Sequence, residues 1–365
     1  MPTTRKGVWD LQQVRDQILD NVWEQQNELY AWGRNTNGQL GQNNTTYRSS
    51  PVQIPGTTWS SISSYGHTLA TKTDNTLWSW GPNSQGELGQ NNIISRSSPV
   101  QIPGTTWNKI SAGSFSSLAT KTDGTLWAWG QNTQGQLGQN DTTQFSSPIQ
   151  IPGTSWSSIS GGNTFSLATK TDNTLWSWGV NNRGQLGKND TTKYSSPVQI
   201  PGTSWSSIAG NNFSLAIKTD NTLWSWGNNN FGQLGQNNST YRSSPVQIPG
   251  TTWSSISGGG SHSLATKTDG TLWAWGYNVY GALGQNNITY RSSPVQIPGT
   301  TWSSISGASS HSLATKTDGT LWSWGSGSDG KLGQNNQTNV SSPVQIPGTT
   351  WSSISYSLAI KSLIN

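Results

Sequence analysis

The amino-acid sequence predicts an all-β fold, a seven-bladed β-propeller of four-stranded antiparallel blades preceded by a short N-terminal α-helix. One observation behind this prediction is a tandem repeat with a period of 48 or 49 residues over most of the 365-residue chain. A second is that every copy contains four short β-like segments, and a third is that the repeat region starts and stops part-way through a copy. The period follows from a recurring Trp-Gly pair, whose tryptophans are Trp32, Trp80, Trp129, Trp178, Trp226, Trp275 and Trp324.

Each copy contains four predicted strands joined by short turns. The segments read approximately WSSIS, HSLATK, TLWSWG and SPVQIP, and their Trp, Ile and Val content suits β-strands. KTDGT or KTDNT joins the second to the third, and Asp-Gly or Asp-Asn favours a tight hairpin turn with positive φ. A proline such as Pro51, Pro99 or Pro148 opens the fourth segment and lacks the N–H that an inner strand would donate. We therefore expect the fourth strand at the edge of each blade.

The two ends of the repeat region supply complementary parts of one blade. Residues 28–33 (ELYAWG) match a third strand, whereas residues 351–365 match only a first and a second strand. A solenoid of stacked repeats would need polar caps at both ends, but a ring removes its open edges when its two ends pair. We therefore predict six complete blades and one shared blade within a propeller domain of residues 28–365, preceded by a separate segment of residues 1–27.

The repeat resembles that of the regulator of chromosome condensation family. The stretch from LWSWGPNSQGELGQNN to SSPVQIPGTTWNKISAGSFSSLATKTDGTLWAWG matches the family's repeat nearly position by position, and the likeness extends over residues 28–361. The resemblance implies a seven-bladed propeller, a fold that hosts many unrelated functions. The family's best-known eukaryotic members bind chromatin and promote nucleotide exchange on a small GTPase. The uniform repeat spacing here leaves no room for an inserted wedge of the kind that would open a GTPase.

Composition and charge exclude several functional classes. The chain has no cysteine, which excludes disulfides, a thiol nucleophile and cysteine-ligated metals. Residues 1–28 carry a net charge of −2 and the remainder carries +7, a mild surplus that does not indicate nucleic-acid binding. The sequence shows neither an apolar signal-peptide core nor a run of about 18 apolar residues, so we expect no secretory signal and no membrane insertion.

No group of residues in the sequence indicates catalysis, and we expect no enzyme activity, no cofactor and no metal site. His67, His262 and His311 occupy one position of the repeat where the other copies have Ser116, Phe165, Phe213 or Tyr356, and a position that accepts Phe favours packing over chemistry. The repeated aspartates lie in predicted hairpin turns, where Asp is common for local reasons. The glycines of GxNxxGQLG do not connect a strand to a helix, so they do not predict a phosphate-binding loop.

The 22 tryptophans allow two interpretations. Most of them recur at three fixed positions per copy, exemplified by Trp78, Trp80 and Trp107, which favours packing between blades. Sugar rings also stack on indole faces, so a lectin is the alternative interpretation.

Positions that vary between the copies mark the candidate binding surface, because loops on a rigid scaffold carry recognition. The residues after Trp-Gly and before the next glycine differ between copies, and Tyr and Arg accumulate just before the fourth strand. Both residue types are enriched at binding hot spots, although solvated side chains that cover a blade edge would give the same pattern. The candidate residues, expected around one rim, are Tyr47, Arg48, Arg96, Lys193, Tyr194, Tyr241, Arg242, Tyr277, Tyr280, Tyr290 and Arg291.

Residues 1–27 form a candidate attachment segment. Asp10 and Gln13 resemble a capping box, and the apolar residues that follow recur at spacings of three and four, which predicts a helix of about 13 residues. The segment resembles the short GVW-x-Leu N-terminal segments of structural proteins in tailed-phage virions. The candidate partner-binding residues are Trp9, Leu11, Val14, Ile18, Val22 and Trp23.

Such a short helix needs a surface to pack against, and two surfaces remain open. One is its own propeller, because the last copy lacks about four residues of the turn before SLAIK, and we expect this shortened turn next to the point where residues 1–27 leave the ring. The other is a capsid or tail protein.

The sequence-based hypothesis is a non-enzymatic propeller of a phage virion, made in the host cytoplasm. Virion proteins would bind residues 1–27, and the loops would bind a host-surface glycan or protein. The alternatives are a bacterial carbohydrate- or protein-binding propeller in the cytoplasm or at the cell surface and, third, a regulator of a small GTPase or of chromatin.

Overall fold

Seven four-stranded antiparallel sheets form the blades of a ring in a computed structural model that describes residues 26–363. The strands of blade 1 are β1 (Asn27–Gly33), β2 (Arg48–Ile54), β27 (Trp351–Ser355) and β28 (Leu358–Ser362). Blades 2 to 4 contain β3 (Trp59–Ser64), β4 (Thr68–Lys72), β5 (Leu77–Gly81), β6 (Arg96–Ile102), β7 (Trp107–Ala112), β8 (Ser116–Lys121), β9 (Leu126–Gly130), β10 (Phe145–Ile151), β11 (Trp156–Gly161), β12 (Phe165–Lys170), β13 (Leu175–Gly179) and β14 (Tyr194–Ile200). Blades 5 to 7 contain β15 (Trp205–Gly210), β16 (Phe213–Lys218), β17 (Leu223–Gly227), β18 (Arg242–Ile248), β19 (Trp253–Gly258), β20 (His262–Lys267), β21 (Leu272–Gly276), β22 (Arg291–Ile297), β23 (Trp302–Gly307), β24 (His311–Lys316), β25 (Leu321–Gly325) and β26 (Val340–Ile346).

This architecture confirms the predicted all-β propeller with four strands per blade. The first strands of successive blades contact each other around a central channel, and β27 contacts β3, so the ring is complete. A 3-10 turn at Ser328–Gly330 is the other regular element of residues 26–363. None of the helices in this range could cross a membrane. The predicted helix over residues 10–22 lies outside the described residues.

Blade 1 closes the ring as the repeat pattern predicts. Its sheet order is β2-β1-β28-β27, so a third and a fourth strand from the start of the chain join a first and a second strand from its end. Leu29 pairs with Ile360 and Ala31 pairs with Leu358 in antiparallel register. In all seven blades the fourth strand forms the outer edge of the sheet. Every first strand, including β27 of the closing blade, pairs with a second strand.

The fourth strands lie at the outer edge of each blade, as the prolines predict, but the prolines do not open them. Pro51 is the fourth of seven residues in β2, and Arg48 already pairs with Gly33 ahead of it. The pairing register shifts between Ala31 and Gly33, opposite this proline. Such an irregularity accommodates a residue without an N–H inside an edge strand.

The hydrophobic core lies between adjacent blades and is divided into seven clusters. In one cluster Leu118, Leu126 and Leu137 of blade 3 pack against Trp156 and Trp178 of blade 4. The tryptophans at two of the three repeat positions, such as Trp156 and Trp178, are thus buried packing residues, as the sequence analysis favours, and each blade completes its core on the next one.

A single backbone carbonyl joins each pair of adjacent blades. The indole N–H of Trp178 donates to the carbonyl of Gln136 at 2.8 Å, and the hydroxyl of Ser166 donates to the same oxygen at 2.9 Å. Gly138 packs against this indole with a φ of +70°, and a Cβ there would lie 3.0 Å from the indole nitrogen, so only glycine fits. The same carbonyl arrangement recurs at all seven junctions, with the acceptors Gln39, Glu87, Gln136, Gln185, Gln233, Ala282 and Lys331.

The buried histidines extend this junction. The Nε2 of His67 lies 2.6 Å from the hydroxyl oxygen of Ser117, and the Nε2 of His262 lies 2.9 Å from that of Ser312. Both hydroxyls donate onward to junction carbonyls, so each accepts an N–H from histidine Nε2. Burial lowers the pKa of His67 to about 3 and that of His262 to about 4, and it lowers the pKa of His311 to about 3 with a contribution from Lys331. The histidines therefore pack in neutral form, in agreement with the sequence-based interpretation.

A second set of contacts surrounds the central channel. The serine hydroxyl at the end of a first strand accepts the backbone N–H of the next blade, as between Ser160 and Gly210 at 2.9 Å. The contact is present at six of the seven junctions, including both junctions of blade 1. Ala209 occupies the equivalent position of blade 5 and has no hydroxyl to offer Gly258.

We predict that Ala209→Ser stabilises the propeller. The new hydroxyl would meet the N–H of Gly258 in the geometry seen at the other junctions, and a hydrogen bond of this kind contributes about 0.5–1.5 kcal/mol. Chemical denaturation should report a gain of this size, whereas Ser160→Ala should lose a similar amount. A destabilised Ala209→Ser variant would show that the junction between blades 5 and 6 differs in geometry from the other six.

We predict that the histidines make the propeller less stable in acid. An imidazole whose pKa is depressed in the folded state binds a proton more readily in the unfolded chain, so stability is present above about pH 6.5 and declines as the pH falls toward about 4. Each histidine contributes a slope of at most about 1.4 kcal/mol per pH unit in this window. Replacing His67, His262 and His311 by Phe, the residue of blades 4 and 5, should flatten the pH profile of the denaturation midpoint. If the denaturation midpoints of the wild-type and the triple Phe variant depend on pH in the same way, the histidines are not buried in neutral form.

Candidate functional site

The propeller has two faces, which carry different loops. The loop face carries the turn between the first and second strands and the long loop between the third and fourth strands of every blade, while the turn face carries the KTDG or KTDN hairpins. The long loops have the same length in all blades, namely residues 34–47, 82–95, 131–144, 180–193, 228–241, 277–290 and 326–339.

A buried asparagine fixes the shape of nearly every long loop. In blade 1 the side-chain amide of Asn35 donates to the carbonyls of Asn44 and Thr46 at 3.0 Å, and its oxygen accepts the N–H of Leu40 at 2.9 Å. Blade 7 has Gly327 at this position, and Asn339 accepts the Gly327 N–H at 3.0 Å instead. The fold thus determines the loop frame and leaves the residues around it free to vary.

The varied positions of blades 5 and 6 form one aromatic cluster, which we call the aromatic patch. It consists of Phe231, Tyr277, Tyr280 and Tyr290. The ring centre of Phe231 lies 4.9 Å from that of Tyr277 and 5.7 Å from that of Tyr290. The ring centres of Tyr277 and Tyr280 are 6.4 Å apart. Tyr280 and Tyr290 remain 39% and 41% exposed, so the patch is a surface and not a core.

An arginine–tyrosine pair continues the patch toward blade 4. The guanidinium of Arg183 lies 5.1 Å from the ring centre of Tyr241 and donates a hydrogen bond to its hydroxyl. That hydroxyl donates to the side chain of Asn230, next to Phe231. Tyr241 is 40% exposed. The patch and this pair thus present aromatic rings in edge-to-face contact, with one cation at the border of the patch.

The structure brings four of the sequence-predicted residues to this region, namely Tyr241, Tyr277, Tyr280 and Tyr290, and distributes the others around the loop face. Tyr47 is 40% exposed on blade 1, and Tyr194 of blade 4 donates to the carboxylate of Asp190 at 3.0 Å, which raises the pKa of Tyr194. The remaining predicted residues stand at or before the first residue of an outer strand: Arg48, Arg96, Lys193, Arg242 and Arg291.

Sequence reasoning missed Phe231 and Arg183 as members of this surface. Both precede the first glycine of their loop, at the position that Tyr280 occupies in blade 6. In the fold this position contacts the tyrosine before the outer strand of the next blade, as Arg183 contacts Tyr241 and Phe231 contacts Tyr290. Pairing of these two positions between successive copies was the signal that could have identified them.

The shortened turn of blade 1 creates a separate pocket on the loop face. A cavity of about 210 Å³ lies at the junction of blades 7, 1 and 2, where the missing turn residues would otherwise sit. Arg34, Lys331, His311, Tyr65 and Tyr356 contribute to its walls. The Tyr65 and Tyr356 rings lie 5.2 Å apart, and burial raises the pKa of Tyr356 well above its usual value.

The location of this pocket corrects one expectation. The shortened turn was expected next to the point where residues 1–27 leave the ring, but Gln26 and Asn27 contact Leu363 and Thr57 on the turn face. Strand β1 then crosses the blade and reaches the loop face at Gly33. The prediction was wrong because a third strand runs from the turn face to the loop face, which separates its two ends by the length of the blade.

The predicted attachment residues Trp9, Leu11, Val14, Ile18, Val22 and Trp23 lie outside the described residues. In residues 26–363, no three His, Asp or Glu side chains converge in a way that could hold a metal ion. Each hairpin aspartate accepts hydrogen bonds from a residue of its own turn. The hydroxyl and the backbone N–H of Thr125 donate to the carboxylate of Asp123, and these hydrogen bonds lower the pKa of Asp123.

Comparison with solved structures finds the same fold in eukaryotic proteins. Human WBSCR16 superposes with a TM-score of 0.81 at 22% identity, covering 93% of this chain and 100% of the other. Prp20p from Saccharomyces cerevisiae, whose structure was described with its binding to Gsp1p and histones, gives 0.80 at 22% identity, covering 93% and 91%. Yeast RCC1 (Prp20) bound to Kap60 gives 0.79 at 21% identity, covering 99% and 94%. A comparison with curated protein sequences found no match.

The family model of the regulator of chromosome condensation (RCC1) repeat matches the chain seven times. The matched residues are 26–70, 74–120, 123–169, 172–217, 220–266, 269–315 and 318–356. A second model of the same repeat matches residues 107–136, 156–185 and 253–282. Together with the seven-bladed fold, these matches show that the chain belongs to the RCC1 repeat family.

Proposed function

We propose that this chain is a non-enzymatic binding propeller that recognises a protein through the aromatic patch and the adjoining Arg183–Tyr241 pair. The observation that carries the proposal is the cluster of exposed aromatic rings on the loops of blades 5 and 6. Tyrosine and arginine contribute most to binding energy at protein interfaces, because they bury a large rigid surface and still form hydrogen bonds.

The position of the patch in the repeat supports this proposal. The ring uses the junction tryptophans and glycines in every blade, but it does not need aromatic residues at the patch positions. Blade 2 has Pro82, Gln85 and Ser95 where blade 6 has Tyr277, Tyr280 and Tyr290. A requirement of the fold therefore does not explain why aromatic rings accumulate in two neighbouring blades.

We propose further that the chain acts in a phage virion, with residues 1–27 bound to a capsid or tail protein. The resemblance of that segment to virion attachment segments motivates this setting. The chain enters blade 1 from the turn face, at Gln26 and Asn27, whereas the aromatic patch lies on the loop face. A particle bound at the turn face would leave the patch directed outward, toward a host-surface protein.

Two other functions follow from different observations. A bacterial lectin-like propeller is the alternative, because exposed tyrosines such as Tyr241 and Tyr290 also stack on sugars. A regulator of a GTPase or of chromatin is the third, since the yeast Prp20p structure was described with its binding to Gsp1p and histones. The uniform long loops provide no inserted wedge, and the N-terminal segment is acidic, so both features favour the first proposal over the third.

We predict that a photo-crosslinking aromatic residue at position 280 captures a protein partner in the cells or particles from which the chain is purified. The same residue at position 85 is the matched control, because Gln85 occupies the same loop position on blade 2. Mass spectrometry should identify a partner at least about tenfold enriched at position 280, and Tyr277→Ala with Tyr290→Ala should remove it, because hot-spot contacts cluster. Equal capture at positions 85 and 280 would contradict the proposed surface.

We predict that deletion of residues 1–25 leaves a folded monomeric propeller that no longer enters particles. The deletion stops before Asn27 because Asn27 pairs with Ser362 in the closing blade. Mass spectrometry of purified particles should detect the full chain and not the truncated one. Absence of the full chain from particles, or incorporation of the truncated chain, would refute the virion role, and an unfolded truncated chain would show that the segment is part of the propeller.

A further inference from the structure

The outer circumference of the propeller contains grooves between adjacent blades. One groove of about 420 Å³ lies between blades 5 and 6, and one of about 360 Å³ lies between blades 7 and 1. In the first, blade 5 contributes Gln236, Asn237 and Pro249, and blade 6 contributes Lys267, Trp273 and Pro294. The groove thus combines an aromatic ring and two prolines with side-chain amides and one cation.

The same residue types border every junction. The proline of the preceding blade is Pro55, Pro103, Pro152, Pro201, Pro249, Pro298 or Pro347. The lysine is Lys72, Lys121, Lys170, Lys218, Lys267, Lys316 or Lys361. The aromatic residue is Tyr30 in blade 1 and otherwise Trp78, Trp127, Trp176, Trp224, Trp273 or Trp322, all of them half-buried. The residue types that line these two grooves therefore recur at all seven junctions.

An exposed glutamine accompanies each of these aromatic residues. Gln296 lies directly across from Trp273 in the pairing of β21 with β22, and Gln101 lies across from Trp78 in the same way. The glutamine is exposed in all seven blades, and within residues 26–363 its side chain forms no hydrogen bond. Long-loop positions diverged between the same copies, for example from Pro82 to Tyr277, but this glutamine did not.

The groove lysines are the charged residues that line the two grooves, although six of the seven lie two residues before a hairpin aspartate, as Lys267 does before Asp269. The Lys267 ammonium lies 4.3 Å from the ring centre of Trp273 and 5.0 Å from that of Trp253, which holds it in place. The one ion pair among the described residues joins Lys331 to Asp329, so no groove lysine has a carboxylate within 4.0 Å. No acidic residue lines either of these two grooves, which favours an anionic ligand over a cationic one.

We propose that these grooves bind an acidic polysaccharide, with one sugar residue per groove. The apolar face of the sugar ring would pack against the indole, its hydroxyls would bind the glutamine and asparagine amides, and its acid group would pair with the lysine ammonium. A long polysaccharide can place acidic units in several grooves at once, so weak individual contacts would combine by multivalency. This surface is separate from the aromatic patch and does not depend on the protein-binding proposal.

The test is binding of the full chain to immobilised polygalacturonate, with neutral dextran as the comparison. We expect binding to polygalacturonate only, and a loss of at least about tenfold when Lys121, Lys218 and Lys316 become Met, because three of seven sites lose their charge. The matched control replaces Lys109, Lys193 and Lys331 by Met, which removes the same charge away from the grooves. Equal losses in both triple variants would overturn the proposal in favour of general electrostatic attraction.

A second variant tests the grooves while every lysine stays unchanged. Gln101→Glu, Gln199→Glu and Gln296→Glu change exposed positions of three other grooves, so the fold should persist, which circular dichroism checks. Added carboxylates should repel the acidic polymer and weaken binding by at least about tenfold. Unchanged binding, binding to dextran as strong as to polygalacturonate, or preferential binding of a proline-rich peptide would each refute an acidic-polysaccharide site.

Discussion

Each blade junction depends on one backbone carbonyl that accepts two hydrogen bonds from the neighbouring blade, one from an indole N–H and one from a hydroxyl. A buried carbonyl has two lone pairs, so this arrangement satisfies it fully without water. The indole lies against a glycine with positive φ, and the same tryptophan packs in the apolar cluster of the junction. Hydrogen bonding, backbone conformation and hydrophobic burial thus require the same few residues, which explains why these residues recur in all seven copies.

Ring closure uses the same contact across the whole chain. Trp32 donates to the carbonyl of Lys331 at 2.9 Å, although 299 residues separate them, and Ser357 donates to the same carbonyl at 3.3 Å. Repeat proteins with open ends leave their terminal repeats with one unpaired neighbour. Here blade 1 has a neighbour on both sides, so no blade is terminal and each core cluster is complete.

Much of the fold could be predicted from the sequence because its determinants are local and repeated. The Trp-Gly period, the Asp-Gly turns and the split copy indicated seven blades and the closing blade. The candidate site was less accessible, because residues in successive loops meet only after the blades are placed. Phe231 and Tyr290 contact each other across a junction, and neither copy alone shows it. The shortened turn was misplaced for a related reason, since its location depends on the direction in which β1 crosses the blade.

The symmetry of the ring separates two kinds of recognition. Features that occur once, such as the aromatic patch and the pocket beside the shortened turn, suit a single partner that approaches the loop face. Features that occur seven times, such as the circumferential grooves, suit a ligand that repeats in space, for which small affinities combine. A tandem-repeat protein can change the first kind by altering a few loop residues while the junction carbonyls hold the frame. It can change the second kind only by altering the same position in every copy, so the grooves are less free to vary than the loops.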